Sequence, residues 1–156
     1  MMNLEALLRG VGMFAGLNGR QIGRLARLAT SREFPAGTRI LRRGETGVAL
    51  YLIAEGRVVI TLPSEAAAMR GDGEQVLGQM GPGEVFGEMA LIDEGPRSAD
   101  VTTVEETRCV LLTRWDFEEA MRRDPQIARA LLPILCARIR GLQERLIRYE
   151  TEPTTD

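Results

Sequence analysis

The sequence predicts an α+β fold that is mainly β: an antiparallel, jelly-roll-like β-roll flanked by N-terminal helices and a long C-terminal helix. Three observations carry this. Between Ser31 and Leu112, short apolar runs alternate with Gly- and Pro-containing breaks, the punctuation of a sandwich or roll. On either side of that region the apolar residues recur every three or four positions, the period of a helix face. Asp124-Pro125 then opens the last stretch as an N-cap acid followed by proline at the first helical position.

Taken in order, Leu4 to Arg9 reads as a short amphipathic helix. Asn18 reads as the N-cap of a second helix, with Gln21 three residues on as its capping-box partner and Ile22, Leu25, Leu28 and Ala29 as its apolar face. The strand candidates are 39–41, 49–53, 57–62, 75–79, 99–104 and 108–112. Pro63 to Gly73, rich in small and charged residues, reads as a mobile hairpin loop. Thr113 caps a helix over 115–122. The helix after Asp124 is expected to reach about Tyr149, with Ile127, Leu131, Leu135, Ile139, Leu142, Leu146 and Tyr149 in one stripe. Pro133 lies inside it and is expected to kink it, freeing the carbonyl of Arg129. That stripe either covers the roll or pairs with a second subunit. The organisation is therefore one domain over 1–150 and a disordered polar tail over 151–156.

A chain of 156 residues with 44% hydrophobic and 27% charged residues is of ordinary size and composition for one globular domain. Its longest apolar run, Ala130 to Ala137, is too short to span a bilayer. Glu5 and Arg9 interrupt the first apolar residues, so no secretory signal is expected and the reading is cytoplasmic, with no membrane partner. No histidine occurs, which removes Ser-His and Cys-His nucleophile pairs and histidine-held metals or haem. The cysteines, Cys109 and Cys136, stand far apart in apolar surroundings and read as two buried thiols, not metal ligands. Every basic residue is arginine, and the net charge of −2 gives no electrostatic case for nucleic acid. Without a carboxylate constellation for a metal, the chain reads as a non-enzyme that needs no metal or cofactor.

The chemistry gathers in Phe86-Gly87-Glu88-Met89-Ala90-Leu91 and Pro96-Arg97-Ser98-Ala99. A turn starting near Gly87 would leave backbone N–H groups unpaired at one spot, which favours an anion there. Gly87 lets the backbone approach closely, and Arg97 could return to the same spot as a forked phosphate donor. Ser98 adds a hydroxyl and Ala99 a backbone N–H, while Glu88 can accept from a sugar hydroxyl. Such a set suits a small sugar phosphate with one negative charge.

These segments do not stand alone. Phe34-Pro35-Ala36-Gly37-Thr38, Gly44-Glu45, Leu50 to Ile60 and Met80-Gly81-Pro82-Gly83-Glu84-Val85-Phe86-Gly87-Glu88 occur in an order and spacing that resembles the cyclic nucleotide-binding domains of catabolite activators, kinases and channels. The resemblance covers roughly Leu4 to Tyr149. It implies a phosphate and ribose site of Gly87, Glu88, Met89, Ala90, Arg97, Ser98 and Ala99, with Glu88 on the ribose 2′-hydroxyl and Arg97 on the phosphate. The side chains of Phe86, Ala90 and Leu91 read as core. Ile60, Leu77 and Met89 align with apolar pocket positions of relatives, and Ile139, Leu142 or Leu146 fits a hydrophobic lid.

The resemblance also bears on ligand and output. Relatives with serine after the arginine lean towards cAMP over cGMP, so Ser98 favours cAMP. Leu142 and Gln143 occupy the places of the threonine–serine pair that reads adenine in catabolite activators, which weakens that comparison. Metal-dependent cupins share a similar roll but rely on histidines absent here, and the cysteines cannot supply the iron–sulfur set of some relatives. After Tyr149 seven residues remain, too few for a helix-turn-helix, so no nucleic-acid partner is expected. The expected function is a cyclic nucleotide sensor that couples ligand binding to movement of the last helix and to a protein partner or homodimer surface. The alternative is a degenerate interaction or dimerisation domain that binds no nucleotide.

Overall fold

Local capping chemistry sets the first helices. The structure, a computed structural model, describes residues 3–64, 69, 71 and 73–151. Asn3 accepts a hydrogen bond from the Glu5 amide and opens α1 (Leu4–Arg9). After a 3-10 turn at Gly12–Phe14, Asn18 and Gln21 form the reciprocal capping box of α2 (Gly19–Leu28), both bonds at 2.9 Å. Thr113 caps α3 (Arg114–Arg123) through the Asp116 amide. Asp124 accepts from the Gln126 amide at the head of α4 (Pro125–Thr151), which continues through Pro133.

Between α2 and α3 the described residues form eight strands in two antiparallel sheets. The first sheet has the order β1 (Thr30–Phe34), β8 (Thr107–Thr113), β3 (Ala49–Glu55), β6 (Val85–Phe86). The second has the order β2 (Arg39–Leu41), β7 (Asp100–Thr103), β4 (Val58–Pro63), β5 (Glu74–Met80). The predicted mainly β α+β architecture is therefore the observed one. Two strands escape the sequence pattern for physical reasons. β1 is exposed along four of its five residues and so lacks an apolar rhythm, and β6 is only two residues long. Of the predicted mobile loop over 63–73, residues 65–68, 70 and 72 lie outside the described residues, as do 152–156 of the predicted tail.

Two cores divide the apolar residues by the two-residue period of the strands. From β3 and β8, Leu50, Leu52, Ala54, Val110 and Leu112 face the helices and pack with Leu8, Phe14, Leu25, Phe117 and Ile127. Their alternates Ile53 and Cys109 face into the roll with Phe34, Leu41, Val58, Phe86 and Val101. β3 is thus covered on both faces, which explains its near-continuous apolar sequence.

The last helix divides differently from the single stripe expected. Ile127 and Leu131 are buried against the helical core, but Ile139, Leu142, Leu146 and Tyr149 are exposed. Cys136 is exposed as well, which corrects its reading as a buried thiol; it lies beyond the segment of α4 that packs on the domain. Cys109 is fully buried. No helix among the described residues is long and apolar enough to cross a membrane.

Candidate functional site

A cleft lies where the chain crosses from one sheet to the other, between β6 and β7. Phe86 ends β6 opposite Tyr51 of β3, and the two rings stack at 5.0 Å with their planes 3° apart. Gly87 follows in the left-handed region, at φ 74°, a conformation that glycine adopts without strain. It caps the 3-10 turn Glu88–Leu91, whose Ala90 amide donates to the Gly87 carbonyl. The amides of Glu88 and Met89 have no preceding carbonyl of the turn to bond.

The return strand brings Arg97 back to this turn. Thr46 and Pro96 form an isolated β-bridge. The Arg97 amide donates to the Glu45 carbonyl at 2.8 Å, and its own carbonyl accepts from Gly44 at 2.9 Å. The backbone of the arginine is therefore fixed by the β2–β3 loop, which accounts for the Gly44-Glu45 pair in the sequence pattern.

The Arg97 side chain lies against backbone. One terminal nitrogen donates to the Gly87 carbonyl at 3.0 Å and the other to the Ala49 carbonyl at 2.9 Å. Its Nε is buried and has no hydrogen-bond partner. No carboxylate among the described residues lies within 4 Å of it. Burial pulls the guanidinium below the ordinary arginine value, an effect opposed by Tyr51 and Glu88. A half-buried cation with an orphan donor and no carboxylate beside it among the described residues is a site that an anion would complete.

Two glycines make that placement possible. A Cβ on Gly87 would come 2.5 Å from Arg97, and one on Gly47 would come 2.5 Å from its Nε. The sequence reading had Gly87 but not Gly47; nothing in periodicity marks a glycine whose only role is to leave room for a distant side chain.

The cleft has a volume of about 520 Å³. Gly87, Glu88, Met89, Ala90, Arg97, Ser98 and Ala99 all line it, together with Ile60. Leu41, Met80, Val85, Phe86 and Val101 extend the apolar wall, and Asp93, Gly95 and Pro96 complete the polar side. These additions follow from strand register, which the sequence does not reveal.

Three expected wall or lid residues lie elsewhere. Leu77 does not line the cleft: Ile60 pairs with Gly78 and Thr61 with Val76, so Leu77 is the extra residue of a bulge on edge strand β5 and is half exposed. Ile139 and Leu142 project from the exposed half of α4, and Leu142 lines a separate groove with Gly12, Arg138 and Arg145. It is instead Arg138 of α4 that reaches the turn after β6, pairing with Glu88 at 3.5 Å.

The fold and sequence are similar to those of known proteins. The family model described as "Cyclic nucleotide-binding domain" matches residues 31–124. The chain is similar to the cyclic AMP receptor protein of Thermus thermophilus, with 37% identity over 145 residues, 92% of this chain and 65% of that protein. The chain thus spans a little under two thirds of that relative's length. Among solved structures, it resembles the N-terminal domain of a transcriptional regulator from Streptomyces coelicolor A3(2), with a TM-score of 0.79 and 30% identity over 90% of this chain and 94% of the other. It also resembles the regulatory domain of Toxoplasma gondii PKA with cAMP, with a TM-score of 0.67 and 28% identity over 75% of this chain and 42% of the other.

Proposed function

Because the chain belongs to the cyclic nucleotide-binding domain family, we propose that it is a cyclic nucleotide sensor in which the 87–99 cassette holds the ligand and the last helix reports its presence. The observation that carries this reading is Arg97: a half-buried guanidinium with an unpartnered Nε–H and no carboxylate within 4 Å among the described residues. A cyclic phosphate carries one negative charge and two exocyclic oxygens, which match a guanidinium edge.

The remaining roles follow from position. The free amides at the head of the 3-10 turn add donors for the phosphate, and Ser98 and Ala99 line the same cleft. Glu88 accepts the ribose hydroxyl. The apolar residues of the cleft, Ile60, Leu41, Met80 and Val101 among them, cover the base by contact rather than by hydrogen bonds. That wall favours adenine, the less polar purine, and so cAMP over cGMP.

The output runs through Glu88. Its carboxylate is shared between the cleft and Arg138 of α4, so a ligand that engages it changes the free energy of one helix position relative to another. The exposed apolar residues Ile139, Leu142 and Leu146 on that helix give the signal a surface, suited to a second subunit or a protein partner. Similarity to a cyclic AMP receptor protein and to a cAMP-dependent protein kinase regulatory subunit supports a regulatory rather than a catalytic module.

The test is a titration of the purified chain with cAMP and cGMP, followed by calorimetry and thermal melting. Binding to the folded state alone raises stability by about 2.7 kcal/mol at a ligand concentration of 100 Kd. cAMP is expected to raise the melting temperature and cGMP to do so less, while Arg97→Glu removes both responses. Sedimentation of the same samples reads any change in assembly. Silence with both nucleotides at millimolar concentration would leave the fold as an interaction domain and overturn the sensor reading.

A further inference from the structure

Arg114 breaks a local rule. It is the first residue of α3, where the helix dipole disfavours a cation, and the residue is buried, at 8% exposure. A sequence that violates a local preference is expected to gain something elsewhere.

Its contacts show where. One terminal nitrogen donates to the Gly47 carbonyl at 3.2 Å and approaches the Asp93 carbonyl at 3.5 Å. The other lies 3.6 Å from the Glu94 carboxylate, and Nε lies 3.9 Å from Glu118 within α3. The Arg114 amide donates to Val48 at 2.8 Å, which ties the same loop a second time. The guanidinium therefore joins three segments: the 46–48 loop, the 93–94 loop after the cassette turn, and α3.

Two of these segments govern Arg97. Gly47 is the residue whose missing Cβ leaves room for the Arg97 guanidinium. Asp93 and Glu94 lie between the turn that carries Glu88 and the return that carries Arg97, and Asp93 lines the cleft. Arg114 itself does not line the cleft, so it cannot act by touching a ligand.

We infer that Arg114 is a positioning residue for the nucleotide site: it holds the Gly47 and Asp93–Glu94 backbones in register, and through them the slot in which Arg97 waits for phosphate. This rests on the proposed sensor reading. Lysine cannot replace it, because one ammonium lacks the planar fork that spans two carbonyls and a carboxylate.

The experiment measures cAMP affinity and dissociation rate for the wild-type chain, Arg114→Met, Arg114→Lys and Ile127→Val, at a temperature where all are folded. Ile127 is fully buried in the helical core, away from the cleft, and serves as a purely structural control. The expected result is a loss of affinity of tenfold or more for Arg114→Met, mostly in a faster off-rate. Arg114→Lys should fall between it and wild type, and Ile127→Val should bind as wild type does.

Glycine amide signals in a nitrogen-correlated NMR spectrum supply a second readout, with the Gly47 and Gly87 signals shifted in both Arg114 variants. Wild type that binds while both Arg114 variants match the Ile127 control overturns the inference. If Arg114→Met does not fold, Arg114→Lys with wild-type affinity overturns it alone. Wild type that does not bind overturns the sensor reading instead, so the two failures are distinct.

Discussion

Gly47 and Arg97 are fifty residues apart and occupy each other's space: a Cβ at position 47 would sit 2.5 Å from Arg97 Nε. Gly47→Ala must therefore push the guanidinium out of its slot or shift the β2–β3 loop. Overpacking of this kind costs roughly 1–3 kcal/mol. The expected outcome is a lower urea midpoint together with a loss of cAMP affinity of tenfold or more, read by calorimetry below the melting transition. A variant that binds normally would show that Arg97 finds phosphate from some other position.

Glu88 and Arg138 form a partly exposed pair, for which ordinary ion-pair energetics give only about 0.2–1 kcal/mol of stability. Its removal should barely move the melting temperature. Coupling between the two residues should appear in ligand binding instead. In a double-mutant cycle of Glu88→Gln and Arg138→Gln, the cAMP dissociation constants are expected to depart from additivity by threefold or more. Additive effects would disconnect the cassette from α4.

The two cysteines should behave as opposites. Cys136 is exposed on α4, whereas Cys109 is fully buried inside the roll, where burial pushes its thiol up from 9.0 to about 11. A thiol reagent at neutral pH should modify Cys136 alone, and both residues only after unfolding.

The same shift fixes a pH dependence. Between about 9 and about 11 the folded chain keeps a proton that the unfolded chain has released. Stability from this group is therefore whole below pH 9 and falls as pH rises through that window. Tyr51, also raised by burial, acts in the same direction. Urea melts across the window should show this slope, reduced but not abolished in Cys109→Ala.

Much of the fold can be read from caps and alternation because both are local. Asn18 with Gln21, Thr113, and Asp124 with Pro125 each announce a helix within four residues. β3 and β4 announce themselves by apolar residues. β1 does not, since its outward residues Ser31, Arg32 and Glu33 carry no rhythm. The proposed cassette could be named from the sequence for the same reason, because Gly87 to Ala90 and Arg97 to Ala99 are short contiguous segments.

What supports those segments was not legible. Gly47, Tyr51 and Arg138 meet the cassette from three other elements and Arg114 ties the loops beside it, and their relevance exists only once the chain has closed. Leu77 shows the converse error: it sits at a plausible position along β5, but one extra residue in the β4–β5 register turns it away from the cleft. Apolar spacing along α4 likewise could not tell Ile127, which is buried, from Leu142, which is not.

If α4 bends at Pro133, where the ring removes a helical hydrogen bond, the helix becomes a lever. Ile127 and Leu131 anchor the turns before it, and eighteen residues extend beyond it to Thr151, a length of about 27 Å. Arg138 stands only about 8 Å along this arm. A pivot at the proline would turn a displacement of about 1 Å at the Glu88 contact into one between about 3 and 4 Å at the far end. A contact too weak to matter for stability is therefore long enough in reach to matter for whatever the arm touches.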